Sequence, residues 1–521
     1  MRSGSTGRED AKDKDVSFMS VTLRRHWPSH RARIDESHWA KLWDLLMDLH
    51  VDLQDRRDVA GQIYRGLRAR ILDGHLRDGE QIPPSRELAQ RLGVSRNTVS
   101  VAYEWLTAEG LLVSRGRAGS FVQNASRERE ARAATARGVK LRPRAIWNGL
   151  QVPPPAMPSA PYDFRVGIPD ATLFPFEAWS RLLARQLRTT AMTAAYADPS
   201  GHPELRESVA RHVGISRGVR AEASDVLITH GAQQALDLVG RVLLEPGDRV
   251  AVEEPGYPPA RVLFQSHGAR VVPVPVDAEG LDVRALPADT RLVYVTPSHQ
   301  FPLGIVMSPA RRRALLDWAR RRDAVIIEDD YDSEFRFGGR PLETLHGLDR
   351  SGRVLYVGSF SKVLLPALRL GFLIAPPPLR RELRLAKQVT DWHSQLPAQA
   401  ALARFIDTGA LARHLRKTRR EYAQRHTRLS ERLRHHFGDT FEQLPSVAGL
   451  HLCVTFPRGG ARRERELTRK AHDAGIGIEE LSRYFAGTPT RHGWVLGYGG
   501  VTVERIDEGL RRLRAKLGGA L

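Results

Sequence analysis

The chain has 521 residues, 41% of them hydrophobic, with 80 Lys and Arg against 60 Asp and Glu and a formal net charge of +20. That length suggests two or more domains of about 100–200 residues. No run of about 18 apolar residues is present, the stretch Met1 to Asp15 lacks the apolar core of a secretory leader, and the single cysteine, Cys453, excludes an intramolecular disulfide. No transmembrane helix is therefore expected, and the cytoplasm is the expected compartment.

A surplus of positive charge favours polyanionic partners, nucleic acid above all. Only nine of the basic residues are Lys, so part of the surplus reflects an Arg-rich composition. Its distribution is more telling. Between Val113 and Arg144 lie nine basic residues, among them Arg115, Arg117, Arg127 and Lys140, against two acidic ones, Glu128 and Glu130.

In chain order, residues 1–38 show no periodicity and are expected to be a disordered extension. Residues 39–123 read as the first domain. Trp43, Leu45, Leu46, Leu49 and Leu53 are spaced to lead into it. Ile63, Leu67 and Ile71 predict a helix over Val59–Asp73 that Gly74 can end. Ser85 is expected to cap a second helix with Leu88, Ala89 and Leu92 inward, and Gly93-Val94 to turn the chain. Ser95 is expected to cap a third helix burying Val99, Ala102, Tyr103 and Leu106. Helix, glycine turn, helix is the helix-turn-helix pattern. Gly110 to Val122 then reads as two strands around a glycine-rich tip, a wing. In this geometry the start of the third helix enters the major groove, which singles out Ser95, Arg96, Asn97 and Thr98, with Arg86 from the second helix. Arg can chelate guanine and Asn adenine. Arg115 and Arg117 on the wing would meet phosphate or the minor groove.

Residues 124–160 are expected to be a linker, basic at first and then Pro-rich at Val152-Pro153-Pro154-Pro155-Ala156-Met157-Pro158. Residues 161–521 alternate short apolar strands with amphipathic helices, an α/β pattern. Within them, Ser359-Phe-Ser-Lys-Val-Leu-Leu-Pro-Ala-Leu-Arg-Leu-Gly371 follows a strand expected to be buried. A desolvated Lys362 would have a lowered pKa and a nucleophilic amine. Ser359, Ser361 and Arg369 suit a phosphate ester. The amides of Gly231, Ala232 and Gln233, between a strand and a helix, can cradle the same phosphate. Glu328-Asp-Asp-Tyr331 closes another apolar strand, where a carboxylate can pair with a pyridinium. Tyr257 offers a ring to stack, and Tyr196 sits in a turn. No metal site is expected.

The stretches Ile82-Pro-Pro-Ser-Arg-Glu-Leu-Ala89, Leu92-Gly-Val-Ser-Arg-Asn-Thr-Val99 and Ala108-Glu-Gly-Leu-Leu112 resemble the GntR-type winged helix. The motifs of residues 162–521, in their order and spacing, resemble fold-type-I aminotransferases. The pair, with His299-Gln-Phe-Pro302 and Glu328 to Phe335, resembles the MocR subfamily of regulators. The fold class implied is an α+β winged helix-turn-helix followed by an α/β fold-type-I transferase domain with a smaller C-terminal α+β subdomain.

That resemblance implies pyridoxal 5'-phosphate (PLP) as cofactor, with Lys362 condensing with its aldehyde, Asp329 at the pyridine nitrogen and Tyr331 at the phenolate oxygen. Tyr257 would stack on the ring. Ser359, Ser361, Arg369, Gly231, Ala232 and Gln233 would hold the phosphate, and Tyr196 would reach across a dimer interface. It further implies a head-to-tail homodimer, a double-stranded DNA operator, and a small amine, amino acid or B6 vitamer as effector. Two departures stand out. Phe301 falls where the family has an Asn beside the cofactor oxygen. Trp494 falls at or near an Arg that forks onto the substrate carboxylate, with Arg491 close by. A regulator with residual or no transaminase turnover is thus expected. The alternatives are a working aminotransferase with a vestigial reader, or a DNA-binding module on a dead cofactor fold.

Overall fold

The structure is a computed structural model that describes residues 58–123, 142–152, 159–188, 195–338 and 343–518. The expected extension 1–38, the apolar positions of 39–55, and residues 124–141 and 153–158 of the expected linker, with most of its basic run and its Pro-rich stretch, lie outside the described residues, as does the side chain of Arg117. The contacts divide the chain into two compact units on either side of Arg142–Pro143.

In the first unit, helices α1 (Val59–Leu72), α2 (Ser85–Leu92) and α3 (Arg96–Ala108) pack on a three-stranded antiparallel sheet. Its strands are β1 (Gln81–Ile82), β2 (Leu112–Ser114) and β3 (Ser120–Val122), in the order β1-β3-β2. Ile63, Leu67, Ile71, Leu88, Val99, Ala102 and Leu106 meet in one core, as their spacing predicts. Gly93 turns the chain between α2 and α3 at φ 65°. Ser95 caps α3, its Oγ accepting the Thr98 N–H at 3.1 Å. Ser85 does not cap α2. Pro84 takes the cap position in an extended conformation, and Ser85 is the first helical residue. Between β2 and β3, the wing tip closes through a short 3-10 turn, Gly116–Ala118.

The second unit is built on an eight-stranded sheet ordered β5-β12-β11-β10-β9-β6-β7-β8. After β4 (Tyr162–Asp163), the sheet takes β5 (Val226–Thr229), β6 (Arg249–Glu254), β7 (Arg270–Asp277), β8 (Gly280–Leu281), β9 (Thr290–Val295), β10 (Val325–Asp330), β11 (Val354–Ser359) and β12 (Gly371–Ile374). Strands β7, β6, β9, β10 and β11 are parallel, and β12 runs against both β11 and β5. The central strands β10 and β11 are buried along nearly their whole length, with β11 reading as an almost continuous apolar run.

Helices α4 (Phe176–Gln186), α5 (Pro203–Arg217), α6 (Ala232–Leu243), α7 (Pro258–Ser266), α8 (Pro309–Arg322) and α9 (Arg380–Asp391) follow in the chain. Residues of α6, α7 and α9 share one apolar cluster with the sheet, while α8 joins a cluster on its other side. The 3-10 turn Ala145–Asn148, in the middle of the expected linker, lies against α7, so that part of it is tied to this unit.

Helices α10 (Leu396–Asp407) and α11 (Ala410–Phe437) lead to a smaller sheet. Its strands are β13 (Glu442–Gln443), β14 (His451–Thr455), β16 (Glu479–Glu480) and β17 (Gly493–Gly497), ordered β13-β14-β17-β16. Separately, β15 (Ile476–Gly477) pairs with β4. Helices α12 (Gly460–Asp473) and α13 (Val503–Leu517) pack against each other beside the smaller sheet.

Candidate cofactor pocket and DNA-reading face

In an open α/β sheet, ligands bind outside the carboxyl ends of the strands. Here the C-terminal ends of β5, β10 and β11 and the start of β12 share one edge, because Ser359 pairs with Gly371 and Gly371 with Thr229. A cavity of about 400 Å³ opens there. It is lined by Lys362, Asp329, Tyr331, Tyr257, Ser359, Ser361, Arg369, Ala232 and Gln233, which brings together most of the residues singled out from the sequence.

At one end, α6 starts at Gly231 with no side chain capping its first turn. Its first N–H groups and its positive dipole end therefore suit an anion. Gly231 has φ 79°, and a Cβ there would come within 3.2 Å of the Arg369 guanidinium. Arg369 itself holds a left-handed φ of 50°, and its Nη2 donates to the His230 carbonyl at 2.6 Å. The Ser359 hydroxyl donates to Ser361 Oγ at 3.0 Å. Two hydroxyls, a guanidinium and a bare helix N-terminus together could hold a phosphate.

Deeper in the sheet, Asp329 is buried, and its Oδ2 accepts the Tyr294 hydroxyl at 2.8 Å. Its Oδ1 has no partner. A buried carboxylate oxygen left unpaired is costly unless a ligand answers it. Burial pushes this carboxyl up to about 7. Lys362 is half-buried and donates from Nζ to the Gly167 carbonyl at 2.7 Å. Desolvation lowers its pKa, against the pull of Asp332 and Asp329. The Tyr331 hydroxyl donates to the His299 carbonyl at 2.8 Å and lies 3.1 Å from His299 Nδ1. His299 is in turn held by Asp332 at 2.9 Å. Gly449 makes room for this pair, since a Cβ there would fall within 2.5 Å of both His299 Nδ1 and Asp332 Oδ2.

These residues fit PLP. The orphaned Asp329 Oδ1 suits a protonated pyridine nitrogen, the depressed Lys362 amine suits an aldehyde, and the cradle suits the phosphate. Tyr257 meets Phe301 edge to face at 5.8 Å beside them.

Three expectations fare differently. Tyr196 does not line the cavity of its own chain: it is 77% exposed and packs on Trp392 at 4.8 Å. Phe301 does line it, edge to face with Tyr331, so an aromatic edge stands where an amide was expected. Trp494 is fully buried on the far face of the smaller sheet, bonded to Thr468 and packed on Phe441 and Phe456. The next residue, Val495, faces the cluster that holds Phe301 and Tyr484. Arg491 is exposed and does not line the cavity. Sequence reading missed Tyr294, Thr296, Asp332, His451, Glu479 and Tyr484, which also line it.

On the reader, Ser95, Arg96 and Asn97 are exposed at the start of α3, Thr98 is half-buried, and Arg86 is exposed near the start of α2. The Arg115 guanidinium sits 5.0 Å over the Phe121 ring.

Comparison with known proteins agrees with both units. Residues 59–122 match the model of bacterial regulatory proteins of the gntR family, and residues 163–480 match aminotransferase class I and II. The chain is 39% identical to the probable rhizopine catabolism regulatory protein MocR of Rhizobium meliloti, over 90% of this chain and 95% of that protein. It is 32% identical to the pyridoxine biosynthesis transcriptional regulator PdxR of Corynebacterium glutamicum, over 87% and 95%. Among solved structures it resembles Pyrococcus horikoshii kynurenine aminotransferase (30% identity, TM-score 0.64, 69% of this chain and 91% of that one). It also resembles Thermus thermophilus LysN, an α-aminoadipate aminotransferase complexed with N-(5'-phosphopyridoxyl)-L-leucine (31% identity, TM-score 0.63, 75% and 98%).

Proposed function

The chain belongs to the MocR-type GntR regulators, DNA-binding transcription regulators with an aminotransferase-like domain, and on that premise we propose that PLP held at Lys362, together with a small amine arriving beside it, sets the affinity of the reader for its operator. The observation that carries the reading is the convergence on one sheet edge of a lysine with a depressed pKa, the unpaired Asp329 Oδ1 and the uncapped helix start at Gly231.

When bound, PLP supplies an aldehyde that condenses with primary amines and a ring that withdraws electrons. The protein supplies the rest. Lys362 offers its amine at Nζ. Asp329 offers Oδ1 to a ring nitrogen, while Tyr294 fixes Oδ2. Tyr331, steadied by His299, offers a hydroxyl to a phenolate oxygen. Ser359, Ser361, Arg369 and the α6 amides hold the phosphate. On the reader, Arg96 and Asn97 reach base edges and Arg115 and Arg117 meet phosphate or the minor groove. Leu385, Val389, Trp392 and Tyr196 are exposed apolar side chains, and their exposure supports a homodimer that covers them.

The test is a mobility-shift titration on the DNA upstream of the gene and its neighbours, with and without PLP and amines, at stated salt. A specific shift that PLP or an amine alters is expected, and Lys362→Ala should lose both the visible band of bound PLP and the amine response. A specific shift indifferent to PLP and amines would sink the sensor reading. Sustained amine-to-keto-acid turnover without operator binding would favour the working aminotransferase instead. The missing carboxylate-binding arginine on β17 counts against that second reading.

A further inference from the structure

Once the phosphate cradle and the Asp329 end are assigned to PLP, one wall of the cavity is left over. It is formed by Val166, Phe301, Leu450, His451, Tyr484 and Glu479. An incoming amine presents its far end to this wall.

The charge on this wall is unusual for a site that takes amino acids. The lysine and arginine that line the cavity, Lys362 and Arg369, belong to the cofactor end. His451 is buried, and desolvation holds its pKa well below the usual imidazole range, so it is neutral. Asp332 is committed to His299. What remains is the carboxylate of Glu479.

That carboxylate is built in. Its Oε1 accepts the Val166 N–H at 3.1 Å and its Oε2 accepts the Tyr484 hydroxyl at 2.6 Å. Each oxygen keeps a second acceptor site. The nearby Arg165 attracts it, but its Nε and Nη2 are both bonded to Asp163, the stronger partner. Glu479 also pairs across the strands with Val495, the β17 residue that faces the cavity side. Directly opposed residues on antiparallel strands present their side chains on one face. Where a carboxylate-binding site needs a cation, this sheet presents a valine and an anion.

We propose that Glu479 binds the far end of the effector, and that the pocket selects primary amines carrying a second donor group, ammonium or hydroxyl, in place of a carboxylate. A donor-bearing end completes the free acceptor sites of Glu479. A carboxylate end meets a fixed like charge in a partly desolvated cavity, which opposes its binding. The inference rests on the amine-sensing reading above.

The test uses the full-length protein loaded with PLP and three probes of matched length: putrescine, aminobutanol and γ-aminobutyrate. The visible spectrum is titrated with each, and the operator mobility shift is followed in parallel. Putrescine and aminobutanol should half-saturate at concentrations at least about tenfold below γ-aminobutyrate. Which of those two leads tells ammonium from hydroxyl recognition. Glu479→Gln should shrink the gap to within about threefold. Tyr484→Phe, which loses one hydrogen bond but keeps the charge, should preserve the order. The proposal is overturned if γ-aminobutyrate saturates as early as the other two, or if Glu479→Gln keeps the tenfold gap. If no PLP spectrum forms at all, the underlying sensor reading fails and takes this one with it. If the spectrum forms and operator binding responds but carboxylates bind best, only the selectivity of Glu479 is wrong.

Discussion

Asp329 illustrates what the pocket costs the fold. It lies in the sheet beside two more buried carboxyls, Glu253 and Glu328, and burial pushes all three up to about 7. In the unfolded chain such groups titrate near about 4. Their folded pKa is raised, so their contribution to stability is fully present below about pH 4 and is lost as pH rises through about 7. Glu328 offsets part of this cost through the backbone N–H groups of Leu345 and His346 and through Arg312. Glu253 is eased by Thr296. Asp329 has one hydrogen bond, from Tyr294, beside the attraction of Lys362, and its Oδ1 is open to a donor. A protonated pyridine nitrogen there would relieve the ionised form selectively. PLP should therefore raise the melting temperature more at about pH 8 than at about pH 5, and Asp329→Asn should remove that difference while raising the melting temperature of the PLP-free protein by about 2 °C. Thermal melts at both pH values check this, and an equal gain at the two would mean that Asp329 does not face the cofactor's charge.

Helix α3 brings together what sequence could and could not reveal. Its apolar positions recur every three to four residues, and a serine precedes it, so both its buried face and its cap were legible. Those two signals also fix which side chains stay outside: Arg96 and Asn97 follow the cap, on the turn the core does not use. The cap matters because it pins the first turn, which must hold its shape to aim a side chain at a base. Arg96→Ala should accordingly cost about 1–3 kcal/mol of discrimination between operator and scrambled DNA while leaving the PLP spectrum intact. Competition binding at one salt concentration measures it, and undiminished discrimination would move the reading residue elsewhere. On β17 the same kind of reasoning narrows the choice to Trp494 or a neighbour, and the residue on the cavity side is Val495. Strand side chains alternate faces, so the step from Trp494 to Val495 exchanges the far face for the cavity side. Nothing local to Gly493–Gly497 chooses between them, because every residue in it is buried. The choice comes from pairing with β14 and β16. For the same reason Glu479, Tyr294 and His451 were not singled out. Tyr294 and His451 sit in largely apolar strands and Glu479 in the two-residue strand Glu479–Glu480, and only the register of distant strands carries each to the cavity. The glycine, lysine and serine loops were visible because their chemistry is local and sits in consecutive residues.

At the scale of the whole chain, a reader and a ligand pocket are separate units, and a regulator needs a free-energy link between them. Such a link is reciprocal: if an amine changes operator affinity by some factor, the operator changes amine affinity by the same factor. Couplings of this kind usually amount to about 1–3 kcal/mol, or about 5–150-fold. The prediction needs no knowledge of how the units are arranged. Putrescine affinity of the PLP-loaded protein, read from its visible spectrum, should shift in the presence of saturating operator by the factor that putrescine shifts operator affinity in the gel. Scrambled DNA at the same concentration and salt controls for charge alone, which is essential for a chain of net charge +20. Matching factors would mean that occupancy of the pocket is itself the signal. A large effect of amine on operator with none of operator on amine would violate equilibrium linkage. The amine would then be acting by being consumed, changing the bound cofactor irreversibly on the timescale of the assay, and the aminotransferase chemistry of the fold would be part of the switch.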